Sequence, residues 1–372
     1  MNAVMLLVSL SLLLIAQSFV VKKLGLKKLT YERCFSRLAA FEGEEVEMVE
    51  VIRNKKLLPV PFIRAESRIS ANLAFRTDME THIAGEQYHK SIFYLQPYSQ
   101  IKRIHTVHLK KRGYYQAGVV SLTAGDLMGV TAPAMQMDTG AAIEVYPRLL
   151  CPEEFPLPSS RWQGDLLVKR WIVPDPVWVS SIRSYNPGDD PSSIHWPATA
   201  RFGALQVKVH DQTADVKLII VINAQMSERQ WADLMEYEQQ AVEHMISLAA
   251  TLCVDALNHG VEAGFAINIP LDKGMEPAIL PPARHSLRET EILSAMAHLT
   301  IERTSTFLSL LDTLAAFTGM DMLLLSVYDS ELVQTKISTL RLRGNTVTLH
   351  LINKHAPAST VQTGERSAAF GQ

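Results

Sequence analysis

Short apolar segments that alternate with helical patterns are the feature that most constrains the fold, and they occupy residues 216–355. Residues 216–223 form an almost continuous apolar run, which is typical of a strand covered on both faces. Strands are predicted at 216–223, 265–269, 322–328 and 346–352, and helices at 228–257, 287–301, 305–317 and 332–342. This alternation predicts a mostly parallel sheet with helices on both faces, which is an α/β domain of the Rossmann type.

Residues 29–150 show a different pattern, in which apolar and polar residues alternate over short runs that end in turn residues. The predicted strands are 44–53, 62–67, 90–95, 101–109, 113–122 and 143–146. Several short strands at this spacing predict a small antiparallel β-sandwich-like module. The expected fold class is therefore α+β multidomain, with the sandwich module before the α/β domain.

An uncharged apolar run extends from Ala3 to Val21. At about 1.5 Å per residue, a helix of this length nearly matches the roughly 30 Å hydrocarbon core of a bilayer. Lysines follow the run, whereas a signal peptide begins with basic residues, so an anchor is favoured over a cleaved signal peptide. Residues 1–28 are therefore predicted to be a transmembrane helix with a basic flank, in contact with the lipid bilayer through residues 3–21. The predicted location is the cell membrane, single-pass, with the bulk of the chain cytoplasmic.

Charge and cysteine content exclude several classes of protein. The 36 basic and 38 acidic residues nearly balance, so a nucleic acid partner is not expected. Cys34, Cys151 and Cys253 are far apart and odd in number, which argues against a disulfide framework or a zinc site. The polar tail at 356–372 is predicted to be disordered.

The connector at 151–215 is rich in proline and tryptophan and contains the most distinctive motif of the chain. The motif residues are Arg183, Tyr185, Gly188, Asp189, Asp190, His195, Trp196 and Arg201. One interpretation is a polar network around Trp196 that fixes the connector to the next domain and could also form a docking surface. The alternative is a membrane-associated hydrolase that uses Asp189, Asp190 and His195 for acid–base chemistry. The first is favoured because no nucleophile pattern or phosphate loop accompanies the motif.

The run R-x-Y-x-x-G-D-D, followed by I-H-W-x-x-x-A-R-x-G-x-L-x-V-K, resembles the signature of the domain of unknown function 58 family. Upstream blocks at 111–115, 125–129 and 145–147 match the same family in order. The resemblance implies a von Willebrand A-like α/β domain and a membrane-anchored protein that works with a MoxR-type AAA+ ATPase. A transglutaminase-like membrane protein is implied as a possible further partner. Family members often have a two-helix membrane hairpin, whereas this chain shows a single apolar segment.

The first strand of a von Willebrand A-like domain ends in D-x-S-x-S, whose side chains hold Mg²⁺. The corresponding residues here are Asn223, Gln225 and Ser227, so the carboxylate is replaced and only Ser227 fits. Because Mg²⁺ usually relies on carboxylates, no metal and no cofactor are expected. Ser227 is instead predicted to be the N-cap of the long helix. The sequence thus predicts a non-catalytic scaffold or interaction protein for the assembly of membrane or envelope complexes.

Overall fold

The computed structural model describes residues 3–75, 81–83, 86–125, 132–151, 179–186, 191–210, 217–230, 234–272, 274–302 and 305–352. The chain divides into two compact units. Unit 1 contains Met1–Arg148 and Leu293–His298, and unit 2 contains Leu149–Ile292 and Leu299–Gln372. The predicted disordered tail at 356–372 lies outside the described residues.

The N-terminal helix α1 spans Ala3–Leu24 and covers the apolar run. Serines and a glutamine interrupt that run, and Lys22 and Lys23 occupy the last turn of the helix. The predicted transmembrane helix is wrong: in the part of the chain that the structure describes, no helix has the length and apolar character that crossing a membrane requires.

Unit 1 is a β-sandwich with a small additional sheet. Its strands are β1 (Leu29–Phe35), β2 (Ala39–Phe41), β3 (Glu45–Asn54), β4 (Val60–Ser70), β5 (Leu73–Phe75), β6 (Thr81–Ile83), β7 (Glu86–Leu95), β8 (Gln100–Leu109), β9 (Gly113–Gln116), β10 (Val119–Gly125), β11 (Ala134–Asp138) and β12 (Ala142–Tyr146). One sheet has the order β1-β3-β8-β5 and the other β11-β10-β4-β7-β6, with antiparallel neighbours in both. The third sheet, β2-β12-β9, contains one parallel pair, β2 and β12. The sequence did not indicate that pair.

Two apolar clusters form the core of the sandwich, and each draws side chains from both large sheets. One includes Ile52 from β3 with Ile63 from β4 and Phe93 from β7. The other includes Met48 from β3 and Ile69 from β4. Strand β3 has alternate residues buried along its whole length, so the period-2 pattern decides which side chains enter the core.

Unit 2 contains a five-stranded sheet of the order β17-β16-β15-β18-β19. Its strands are β15 (Lys217–Ile222), β16 (Glu262–Ile267), β17 (Ala278–Ala283), β18 (Asp321–Ser326) and β19 (Thr346–Leu351). All neighbours are parallel except the edge strand β17. The first of these five strands along the chain, β15, is central, which is the arrangement of doubly wound α/β sheets. Strand β17 was not predicted because Pro281 and Pro282 interrupt its pattern, and proline within a sheet is confined to edge strands.

Helices cover this sheet. They are α3 (Glu236–Asn258), α5 (Phe307–Leu314) and α6 (Glu331–Leu342). Helix α4 (Arg288–Ala297) follows β17 along the chain, and the short helix α2 (Trp196–Phe202) lies in the connector. Ile219 and Val221 of β15 share an apolar cluster with residues of α5 and α6. Helix α3 contacts β15 and β16. The apolar run of β15 is therefore explained by the burial of all its residues after Lys217.

Candidate functional site

At the carboxyl end of β15, the central strand of unit 2, polar groups form hydrogen bonds with groups at the ends of the neighbouring strands. Asn223 donates from Nδ2 to Ser326 Oγ at 3.0 Å, and its Oδ1 accepts from the amide of Gln225 at 2.9 Å. Asn268 Oδ1, at the end of the neighbouring strand, accepts from the amide of Ala224 at 2.7 Å. Asn223, Gln225 and Asn268 are all buried. The side chains at this edge therefore hold the strand ends together.

Gln225 has a particular structural role. Its Oε1 accepts a 2.7 Å hydrogen bond from the backbone amide of Phe307, the first residue of α5. The first amides of a helix have no partner within that helix. Gln225, which stands at the position of the first serine in D-x-S-x-S, thus accepts a hydrogen bond from one of these amides and does not face solvent.

Ser227 does not cap the long helix, so that prediction is wrong. Helix α3 begins at Glu236, and its N-cap is Met235. Glu238 Oε2 accepts from the Met235 amide and from Gln230 Nε2, each at 2.9 Å. This carboxylate fixes the helix start later in the chain than the apolar pattern predicted, and it leaves Ser227 exposed.

Asp329, the carboxylate that follows β18, is exposed, and its Oδ2 accepts from Gln334 Nε2 at 2.7 Å. Tyr328, beside it, has a raised pKa because of its burial and the nearby charge of Glu228, although a hydrogen bond with Asn223 lowers the value in part. Asn223, Gln225 and Ser227 supply no carboxylate, and the first two already have protein partners. These residues do not fit the Mg²⁺ chemistry of the D-x-S-x-S motif.

The connector motif forms a hairpin around a short helix. Strands β13 (Val179–Ser184) and β14 (Gln206–His210) pair in antiparallel fashion, with α2 between them. Arg183 and Arg201 are exposed, and the amide of Tyr185 donates to Leu205 O at 2.9 Å. Gly188, Asp189 and Asp190 lie outside the described residues.

His195 is the N-cap residue of α2. Its Nδ1 accepts a 3.1 Å hydrogen bond from the amide of Ala198. The acceptor nitrogen therefore carries no proton in this arrangement. A structural role for His195 is thus visible, and it occupies one of the two ring nitrogens that acid–base chemistry would need.

Trp196 does not form a buried centre for the motif, so that expectation is wrong. It is 65% exposed, and the buried side chain of α2 is Ala198. Ile182, Phe202 and Leu205 are also exposed. The described part of the motif therefore presents apolar side chains at its surface.

Sequence reasoning missed a buried polar cluster inside the sandwich of unit 1. Its centre is Glu50 of β3, which is fully buried. Glu50 Oε1 accepts from Arg33 and from the Tyr31 hydroxyl, each at 2.6 Å, and Oε2 accepts from Ser91 Oγ at 2.8 Å. His105 Nε2 lies 3.2 Å from Oε2, and His89 Nε2 lies 3.5 Å from Oε1. One carboxylate thus connects strands of both large sheets.

Electrostatics stabilise the ionised form of Glu50. Burial by itself raises the pKa of this carboxyl, but hydrogen bonds from His105 and His89 and the charge of Arg33 outweigh it. The net result is a pKa well below the usual range. Burial raises the pKa of Tyr31, which keeps its hydroxyl protonated as a donor.

Glu50, His89 and His105 also offer three possible metal ligands within 4.8 Å of one another. The chemistry of the cluster argues against an ion. Both carboxylate oxygens already accept hydrogen bonds, and the Arg33 guanidinium neutralises the single negative charge. A divalent cation would add two uncompensated positive charges to a buried site, which is strongly unfavourable. The cluster is therefore an ion-pair network within the core.

One sequence signal could have revealed this network. Alternate residues of β3 face the core, namely Val46, Met48 and Ile52, and Glu50 lies on the same face of the strand. Arg33 likewise lies among the alternate residues of β1 that face the core. Two opposite charges on the core faces of neighbouring strands predict an ion pair, because buried charges require partners.

Comparison with solved structures finds likeness at low identity. A CARDB domain from Pyrococcus furiosus is 14% identical, covering 32% of this chain and 91% of that chain, with a TM-score of 0.21. A non-cellulosomal cohesin from Archaeoglobus fulgidus is 7% identical, covering 31% and 91%, with a TM-score of 0.22. The sporulation control protein Spo0M from Bacillus subtilis is 16% identical, covering 32% and 50%, with a TM-score of 0.19. TM-scores this low carry no argument about fold or function.

None of the curated proteins matches this sequence. A family model does match, over residues 181–309, which extend from the connector hairpin through β15, α3, β16, β17 and α4 into α5. The matched segment contains His195 and Trp196 as well as Asn223, Gln225 and Ser227. Over residues 181–309, this chain therefore resembles the family described as Protein of unknown function DUF58.

Proposed function

We propose that this chain is a non-catalytic interaction protein whose unit 2 binds a protein partner at the carboxyl-end edge of its sheet. One observation carries the proposal: apolar side chains are exposed in the loops that leave this edge and in the first turn of α3. Met235 is 63% exposed and Met275 is 87% exposed, and Tyr237 and Leu271 are also exposed. We call Met235, Tyr237, Leu271 and Met275 the strand-end surface. Methionine and tyrosine are enriched in protein interfaces.

The geometry beneath this surface supports binding rather than chemistry. Strands β15 and β16 are parallel neighbours, so the loops after Ile222 and Ile267 leave the same edge. The Asn268–Ala224 hydrogen bond joins the two loops at their bases. Asn223 and Gln225 are engaged in such bonds through their side chains, as is Oδ1 of Asn268. The apolar side chains of the strand-end surface are exposed. A rigid base with exposed apolar tips suits a docking surface.

The partner that we propose is a MoxR-type AAA+ ATPase, with assembly of membrane or envelope complexes as the process. The resemblance to the DUF58 family supports this choice. The central position of β15 in a doubly wound sheet is compatible with a von Willebrand A-like domain. The replacement of its metal-binding residues favours recognition that does not pass through a shared ion.

Capture of the partner tests the proposal. The full chain, with and without the changes Met235→Ser, Tyr237→Ser and Met275→Ser, would be crosslinked to a purified MoxR-type ATPase. Leu342→Ser is the matched control, because Leu342 is 89% exposed in the same unit but lies at the end of α6, away from these loops. The proposal expects loss of crosslinking in the triple variant and wild-type crosslinking in the control. Equal crosslinking of both variants, or none by the wild type, would overturn it.

A further inference from the structure

Three segments of unit 1 meet where α1 ends. They are residues 22–28, the β3–β4 turn at 55–59 and the β7–β8 turn at 96–99. The amide of Lys55 donates to Lys28 O at 3.0 Å, and the amide of Tyr98 donates to Lys56 O at 3.2 Å. Asn54 Nδ2 donates to Gln96 O and to Leu58 O, each at 2.9 Å. The segments therefore form one local surface at one end of the sandwich.

A buried lysine fixes this arrangement. Lys56 Nζ donates to Gly25 O at 2.5 Å and to Lys27 O at 2.8 Å. Lys56 is buried, and burial lowers its pKa to about 8. Its two hydrogen bonds hold the chain that leaves α1 against the sandwich. The residues around it keep a defined orientation as a result.

The exposed side chains of this surface combine positive charge with apolar tips. We call them the basic collar: Lys22, Lys23, Lys27, Lys28, Lys55, Leu57 and Tyr98. Leu57 is 74% exposed and Tyr98 is 71% exposed, and Tyr98 is held at a φ of 50°. The three segments contain no aspartate or glutamate. Glu32, on β1 beyond the collar, is paired with Arg53 at 2.6 Å.

We propose that the basic collar binds the surface of a bilayer that contains anionic lipids. Lysines attract headgroup phosphates, and exposed tyrosine and leucine side chains enter the headgroup region. An acidic protein partner is the other occupant that the charges allow, and it would leave the wild type without a preference for anionic vesicles. The proposal concerns binding at the membrane surface by folded unit 1 and is independent of the strand-end surface.

Vesicle flotation of the full chain tests the collar. The probes are vesicles of phosphatidylcholine alone and vesicles of phosphatidylcholine with about 30% phosphatidylglycerol, a content at which anionic lipids attract basic segments. The main variant changes Lys22, Lys23, Lys27, Lys28 and Lys55 to glutamine. The control variant changes Lys90, Lys102, Lys208, Lys217 and Lys336 to glutamine, which alters net charge equally at other positions.

We expect the wild type and the control to prefer anionic vesicles by at least about tenfold, and the collar variant to lose this preference. Any apolar contribution of α1 is common to all three proteins and to both vesicles, so it cancels in the comparison. The pair Leu57→Ser and Tyr98→Ser, which keeps every lysine, should weaken anionic binding several-fold. An equal preference in collar and control variants, or none in the wild type, would overturn the proposal.

Discussion

Arg33 and Glu50 form an ion pair at 2.6 Å in which both side chains are completely removed from solvent. The pair lies between the two sheets of the sandwich and divides its core into two apolar clusters. Hydrogen bonds from Tyr31 and Ser91 satisfy the carboxylate further, so its burial does not leave an unpaired charge.

Removal of one partner of this pair should strongly destabilise unit 1. Arg33→Met leaves Glu50 as an uncompensated buried charge, and we expect the free energy of unfolding to fall by about 3–5 kcal/mol. Urea denaturation measures the change. Arg53→Met is the control, since its pair with Glu32 is exposed and should contribute less than about 1 kcal/mol. A change below about 1 kcal/mol for Arg33→Met would contradict a buried pair.

The lowered pKa of Glu50 predicts acid sensitivity. The folded pKa of this carboxyl lies below its unfolded value of about 4.3. As the pH falls, the native state therefore binds fewer protons than the unfolded state does. Its stabilising contribution is complete above that pH and is lost progressively below it. Urea denaturation of the wild type between pH 7 and about 3 should therefore show falling stability. Glu50→Gln should show a shallower dependence, whereas the exposed Glu32→Gln should follow the wild type.

The capping role of His195 can be separated from acid–base chemistry. His195→Ala removes the acceptor for the Ala198 amide and should destabilise α2 by about 1 kcal/mol, seen as faster hydrogen exchange of that amide. His195→Asn restores a good N-cap side chain and should restore protection. If His195→Asn kept protection but lost a purified activity, the hydrolase alternative would gain support.

Gln225→Ala should destabilise unit 2. It leaves the buried amide of Phe307 without its acceptor, and we expect a loss of about 1–3 kcal/mol in the free energy of unfolding. Ser227→Ala, at an exposed neighbouring position, should change stability by less than about 0.5 kcal/mol. Comparable effects of the two changes would contradict the role given to Gln225.

Gly264 lies where β16 meets the edge strand β17. A Cβ at this position would lie 2.3 Å from Leu280 O and 2.7 Å from the carbonyl carbon of Pro281, both in the backbone. Gly264→Ala should therefore displace β17 and cost about 1–3 kcal/mol or more, measured by thermal unfolding. At Gly274, in an exposed loop, a Cβ would lie 3.0 Å from Leu271 O, so Gly274→Ala should have a smaller effect.

Local pattern was sufficient for most elements of the fold. The apolar run at 216–223 predicted β15, and period-2 alternation predicted β3, β4, β7 and β8, because burial on one or both faces leaves a direct trace in sequence. Errors came where a specific contact overrides the pattern. Glu238 fixes the start of α3 at Glu236. Two prolines in β17 interrupt the apolar pattern from which a strand would be predicted.

The sequence by itself determined the apolar faces of most strands and helices, and so most of the side chains that enter each core, since the periods of strands and helices set the direction of each residue. Only the tertiary structure decided which of them meet. Glu50 and His105 are 55 residues apart and become neighbours because β3 pairs with β8, while Lys56 reaches Gly25 because a turn folds against the end of α1. Such meetings depend on strand order and register, which are set by the packing of the whole unit and leave no local pattern.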